Sequence, residues 1–271
     1  MKNLIIDLNA DVGERPGALG DGSEEKILSL ISSANIACGG HAGDEATMEK
    51  VLKLCAKHGV ATGAHPSYPD RQNFGRVEMM ISAEEIQDAV FEQVRTLGRI
   101  AELNKVKLHH VKPHGALYNV AARDGEVAEA IARGVASWNQ ELILVGLAGS
   151  TMLEVWKEIG FRVAAEAFAD RTYESSGELR SRTNSDALIT EPERAAQQAI
   201  SIIKNKKVAA VDGAEVRLWA QTICVHSDTP NAVEIVQGLR HQLGAEAIMV
   251  KPLEWQANHR YWKALTESNS E

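Results

Sequence analysis

The chain has 271 residues, 44% of them hydrophobic and 24% charged, and its 29 basic and 37 acidic side chains leave a formal net charge of −8. That length and apolar share suit one α/β barrel with a sizeable core. An acidic surface repels phosphate backbones, so no nucleic-acid partner is expected. The longest apolar-looking stretch, Leu142 to Leu153, contains Gly and Ser and is too short to span a bilayer, so no membrane partner is expected. Lys2 followed by only Leu4-Ile5-Ile6 before Asp7 is no signal peptide. Cys38, Cys55 and Cys224, an odd set among small or apolar neighbours, point to reduced thiols and a cytoplasmic location.

Along the chain, short apolar runs alternate with segments of helical periodicity. Strands are predicted at 3–9, 34–38, 60–65, 107–112, 141–147, 162–168 and 221–226. Helices are predicted at about 22–33, 44–58, 82–104, 123–138, 149–159, 191–204 and 229–243. Asp44 and Ser82 stand as N-caps, and Glu85 completes a capping box with Ser82. Strands alternating with helices mean a parallel sheet, and seven such units predict a closed or nearly closed TIM-like (β/α) barrel, with an open doubly wound sheet as the alternative. A hairpin is expected over 208–219 around Asp212-Gly213. The domain reading is one barrel over 1–250, with 251–271 as a C-terminal extension carrying Trp255, Tyr261 and Trp262. The connections at 65–81 and 170–186 are longer than links require and read as functional loops.

Most of the predicted strands end in ionisable residues. A parallel barrel gathers such ends on one rim, where active sites are built. Parity then sorts faces, because side chains alternate across a strand. Asp7, Asn9 and Asp11 share a face in the first strand; His110, Lys112 and His114 share one in the fourth; Glu166 and Asp170 share one in the sixth. His65 ends the third strand beyond Ala61 and Gly63, which leave room for a ligand, and His226 ends the seventh. Burying these groups without partners would cost several kcal/mol each, so they must pair, bind an ion or meet substrate. His41 sits in Gly39-Gly40-His41-Ala42-Gly43-Asp44, a loop suited to close backbone approach to a ligand. Arg71, Arg76, Arg171, Arg180 and Arg182 are either solvated loop charges or clamps for a carboxylate or phosphate. Lys112 reads as an ion pair with Asp7 or Asp11 or as a substrate contact. His109 has the wrong parity, His58 lies at a helix end, and Cys38 and Cys224 read as core. There is no GxxxxGK[ST], GxSxG or HExxH. Gly146-Leu147-Ala148-Gly149-Ser150 reads as a tight strand-to-helix turn rather than a phosphate cradle.

Seven stretches occur together and in order: Asp7 to Glu14 (DLNADVGE), Ser33 to Asp44 (SANIACGGHAGD), Gly63 to Arg71 with Asn73 to Arg76, His110 to Asn119 (HVKPHGALYN), Leu144 to Gly149, Glu166 to Arg171 (EAFADR) and Thr222 to His226 (TICVH). In these the chain resembles the LamB/YcsF family, whose members form the A subunit of bacterial 5-oxoprolinase. Gly40 stands where many members have Phe. The resemblance implies a seven-stranded barrel of the glycoside hydrolase/deacetylase type. It also implies ATP-dependent opening of 5-oxo-L-proline to L-glutamate, with the B and C subunits of 5-oxoprolinase as partners, ATP with Mg as co-substrate and no tightly bound cofactor. On that reading Asp11 is the base, His65 or His114 the proton shuttle and Lys112 an electrophilic stabiliser. Asp7, Asn9, His41, Arg71, His110, Glu166, Asp170, Arg171 and His226 are expected to contact substrate. One rival is a metal-dependent, deacetylase-like hydrolase, with Asp11, His41 and His65 as ligands. The other is a non-catalytic subunit that captures a small acid.

Overall fold

A computed structural model describes residues 4–253. The central sheet holds β1 (Ile5–Val12), β2 (Ser33–Ala37), β3 (Ala61–His65), β4 (Leu108–Val111), β5 (Ile143–Leu147) and β6 (Val163–Phe168). A short antiparallel hairpin follows, β7 (Lys207–Ala209) with β8 (Glu215–Arg217). Then come β9 (Thr222–Cys224) and β10 (Met249–Val250). Strands β1 to β6 run parallel in sequence order, β6 pairs with β9, and β9 pairs back onto β1, which closes a seven-stranded barrel. One edge of β1 serves two partners: β9 takes Asp7 to Asn9, and β10 takes Ile5 and Ile6.

The helices follow from local signals. In α3 (Glu45–His58) the Asp44 carboxylate accepts from the Thr47 amide, and Gly59 ends the helix in the left-handed region. In α4 (Ala83–Leu103) Ser82 and Glu85 cap each other reciprocally, as the sequence predicts. A short helix that periodicity missed, α1 (Pro16–Asp21), ends at Gly22 with φ +78°, and the helix predicted at 22–33 is only α2 (Ser23–Leu28). It stops early because Ser32 and Ser33 turn inward to reach Asp7. The helix predicted at 123–138 is preceded by one that periodicity missed: α5 (Gly115–Ala121) opens directly from His114, and α6 (Gly125–Ala136) follows. The outer layer is completed by α7 (Thr151–Glu158), α8 (Pro192–Asn205) and α9 (Ala232–Ala245). The expected hairpin forms, its turn held by the Ala214 amide on Asp212. Residues of the expected C-terminal extension beyond 253 lie outside the described residues. Among the described residues no helix is long and apolar enough to cross a membrane.

The alternation in β1 divides two environments. Ile6, Leu8, Ala10 and Val12 join the main apolar core, to which the helices also contribute. Asp7, Asn9 and Asp11 are equally buried but bond to side chains of other strands inside the barrel. Gly63 shows how tightly that interior is filled: a Cβ there would lie 2.2 Å from the His110 ring. Gly63→Ala is therefore expected to cost about 1–3 kcal/mol through overpacking, read as a lower urea midpoint at unchanged m.

Candidate active site

The barrel interior is polar and layered. At the bottom Asp7 accepts from the hydroxyls of Ser32 and Ser33 at 2.7 Å each and of Thr222 at 2.5 Å. Above it the Asn9 amide donates to Glu166 at 3.0 Å and Thr222 at 2.6 Å. Asn35 donates to Asn9 and Asp11 at 2.8 Å each and accepts from His110 Nε2 at 2.8 Å. Tyr118 donates to Glu166 at 2.9 Å. At the top Lys112 Nζ lies 2.9 Å from Asp11, 3.0 Å from Glu166 and 3.2 Å from Cys224 Sγ.

These contacts set the charges. Burial alone would raise Asp11, but His65 and Lys112 hold it well below the usual carboxylate range. Burial alone would lower Lys112, but Asp11, Cys224 and Glu166 hold it well above the usual amine value. Lys112 is thus an ammonium and Asp11 a carboxylate, both at the floor of the mouth. Burial pushes the His110 imidazole down to about 3, so this ring is neutral and structural.

Asp7 behaves oppositely: burial, reinforced by Glu166, raises it from 3.8 to about 6 despite its three hydroxyl donors. The folded state therefore binds this proton more tightly than the unfolded chain does. Its contribution to stability is full below pH 3.8 and is lost as pH rises through about 6. At about 1.36 kcal/mol per pH unit, that loss is about 3 kcal/mol. Asp7→Asn should thus gain about that much stability relative to the parent between pH 4 and pH 7, as measured by denaturant unfolding at each pH.

Glu14, His41, His65 and His114 form a second cluster beside Asp11, with one ligand atom from each lying within 4.8 Å of all the others. Glu14 Oε1 is 2.9 Å from His41 Nε2, 3.3 Å from His114 Nδ1 and 3.7 Å from His65 Nε2. His65 donates through Nδ1 to the Lys112 carbonyl at 2.7 Å, and His114 donates through Nε2 to the Phe74 carbonyl at 3.0 Å. The long 65–81 loop supplies that carbonyl, and Phe74 packs edge-on against His41 and His114. Burial lowers His41 to about 3, and burial also lowers His114. Burial would lower His65 too, but Asp11 outweighs it and raises this ring.

Above this floor opens a cleft of about 600 Å³, lined by Asp11, His65, Lys112, His114, Phe168 and His226 and walled by Arg76, Arg171, Arg180 and Arg182. Arg76 and Arg182 pair with Asp228, and Arg180 pairs with Glu174 and Asp186. Arg171 is buried and donates to two backbone carbonyls, those of Ala187 and Arg180. His226 faces the cleft, with Asp170 accepting from its ring and its amide.

The LamB/YcsF family model matches residues 6–258. The chain belongs to the LamB/YcsF family. A relative from Chloroflexus aggregans, named as the A subunit of 5-oxoprolinase, is 52% identical over 92% of this chain and 98% of its own length. One of the same name from Halalkalibacterium halodurans is 45% identical over 90% of this chain and 95% of its own. The crystal structure of the lactam utilization protein from Thermus thermophilus superposes with a TM-score of 0.85 at 43% identity, covering 92% of this chain and 99% of that one. A deacetylase superposes with a TM-score of 0.51 at 14% identity, a likeness of fold alone.

In this LamB/YcsF barrel the residues singled out from the sequence separate by depth. Asp11, His65, Lys112, His114, Arg171 and His226 line the cleft. Asp7, Asn9 and His110 lie beneath it and are spent on one another's networks. Each residue advances a strand by about 3.3 Å, so Asp7 lies about 13 Å back along β1 from Asp11. Glu166 is buried under Lys112, and Asp170 acts through His226. Arg71 is not in the cleft lining: its Nη1 donates to the carbonyls of Gly39 and Gly43 and so holds the loop that carries His41. Gly40 in that loop is packed against Gln93, whose Oε1 would lie 2.2 Å from a Cβ. Sequence reasoning missed Glu14, Asn35 and Tyr118 as parts of the site. Glu14 breaks the alternation of β1 because the strand ends at Val12 and Gly13, with φ +75°, turns the chain over the mouth. Its one signal was its place in the DLNADVGE stretch.

Proposed function

We infer that this chain is the A subunit of an ATP-dependent 5-oxoprolinase of the cytoplasm, hydrolysing 5-oxo-L-proline to L-glutamate together with the B and C subunits. The names of its relatives support the role. The observation that carries the reading is the Asp11–Lys112 pair, 2.9 Å apart, at the floor of a cleft lined by Arg171.

A five-membered lactam is an unreactive amide that recloses readily. Transfer of a phosphoryl group from ATP, as its Mg complex, to the lactam oxygen makes the ring carbon electrophilic. Asp11 takes a proton from a water in the cleft, and the resulting hydroxide adds to that carbon. The Lys112 ammonium stands against the negative charge that develops there. Cleavage of the ring C–N bond, with protonation of nitrogen, leaves an acyl phosphate, and a second water releases phosphate and glutamate. Arg171, without a carboxylate partner among the described residues, takes the substrate carboxylate or the phosphate.

The test is glutamate formation from 5-oxo-L-proline and ATP in three mixtures: this chain alone, the B and C subunits without it, and all three. Activity in the complete mixture only is the expected result. Absence of activity there, with all chains folded, would sink the reading.

A further inference from the structure

The tautomers of His65 and His114 create a problem that a proton or a metal ion must solve. His65 Nδ1 and His114 Nε2 each face a carbonyl oxygen, so both must carry hydrogen. The remaining nitrogens, His65 Nε2 and His114 Nδ1, are then lone-pair atoms, and they face each other at 3.0 Å. Glu14 Oε1 joins them, 3.7 Å from His65 Nε2 and 3.3 Å from His114 Nδ1. Three acceptors converging in a buried site repel one another unless a cation lies between them.

We propose that Glu14, His65 and His114 bind one divalent first-row transition-metal ion at this point. An ion held by bonds of about 2.0–2.2 Å in a tetrahedral arrangement needs donor atoms about 3.3–3.6 Å apart, which is the scale of the observed triangle. Ring orientation selects the ligands. An imidazole holds an ion in its own ring plane. His65 and His114 are inclined at 84°, so one point can lie in both planes. His41 is stacked on His114 at 3.7 Å with only 4° between the rings, so no point lies in both of those planes. His41 is therefore a positioning residue, holding Glu14 through the contact at 2.9 Å. The carbonyl partners of His65 and His114 are of the kind that orient metal-bound imidazoles. Imidazole with carboxylate suits zinc, cobalt, manganese or iron rather than calcium. Such an ion, when bound, would acidify a water beside Asp11.

The proposal does not rest on the lactam reading, because its readout is binding rather than turnover. Protein without a histidine tag, stripped by chelator, is titrated with Co²⁺ and with Zn²⁺ while the visible cobalt bands and Tm are followed. Saturation at about one equivalent with a raised Tm is expected. Glu14→Gln and His114→Ala should remove that saturable site, His41→Ala should weaken it by about 10–100-fold, and His241→Ala, on the exposed side of α9, should leave it intact. Absence of saturable binding in the wild-type chain, or equally tight binding by Glu14→Gln and His114→Ala at unchanged circular dichroism, would overturn it. The wild-type titration decides alone if a variant does not fold.

Discussion

Replacing Lys112 by Met is expected to abolish glutamate formation and to lower stability by about 3–5 kcal/mol, the usual cost of removing one member of a buried ion pair. Lys112 is buried and serves Asp11 and Glu166 at once. Its loss leaves two carboxylates facing one another in the barrel with no ammonium between them. Glu166, fully buried beneath the cleft, cannot be hydrated without opening the sheet. Equilibrium unfolding in urea at pH 7.5 measures the cost, and the double variant with Asp11→Asn supplies the control. With one of the two carboxylates also neutralised, the double variant should recover part of the lost stability and none of the activity. Additive losses would show that Lys112 is not coupled to Asp11.

Asp11→Asn alone should lower kcat in the assembled enzyme by about 10²–10⁴-fold while the chain remains folded. Folding is preserved because Glu166, 3.0 Å from Lys112, still neutralises the ammonium. Asn keeps an oxygen for the Asn35 amide, which donates to Asp11 at 2.8 Å. What it cannot do is accept a proton from water. KM for 5-oxo-L-proline should change less than kcat, since Asp11 acts on water rather than on the substrate carboxylate. Steady-state kinetics beside far-UV circular dichroism of the variant are the check. Near-normal turnover would remove Asp11 from the mechanism and favour a chain that only presents the substrate.

Much of this arrangement could be read without coordinates. Period-two alternation placed Asp7, Asn9 and Asp11 on one face and Ile6, Leu8 and Ala10 on the other, and the barrel keeps that division. The same parity separated buried His110 from half-buried His109. Capping chemistry at Asp44 and Ser82 located two helix starts, since a cap is satisfied within four residues of chain. The strand-ending residues of β1, β3, β4 and β9 did converge, because a parallel barrel puts all such ends on one rim.

Depth was not legible. Asp7 and Asp11 share a face and a residue type, yet burial and Glu166 raise one to about 6 against its hydroxyl donors while the other is held ionised against His65 and Lys112. That difference comes from His65 and Lys112, which stand beside Asp11 from other strands and are not beside Asp7. Glu14 was hidden because a single positive-φ glycine broke the alternation that parity depends on. Arg71 and Arg171 look alike in sequence, and only the folded loops send one to the carbonyls under His41 and the other into the cleft. Local pattern thus determined the strands, their faces and the residues available at the mouth, because those depend on neighbours along the chain. The tertiary structure alone decided which of them share a proton, a charge or an ion, because those properties depend on distances between strands and on exclusion of water.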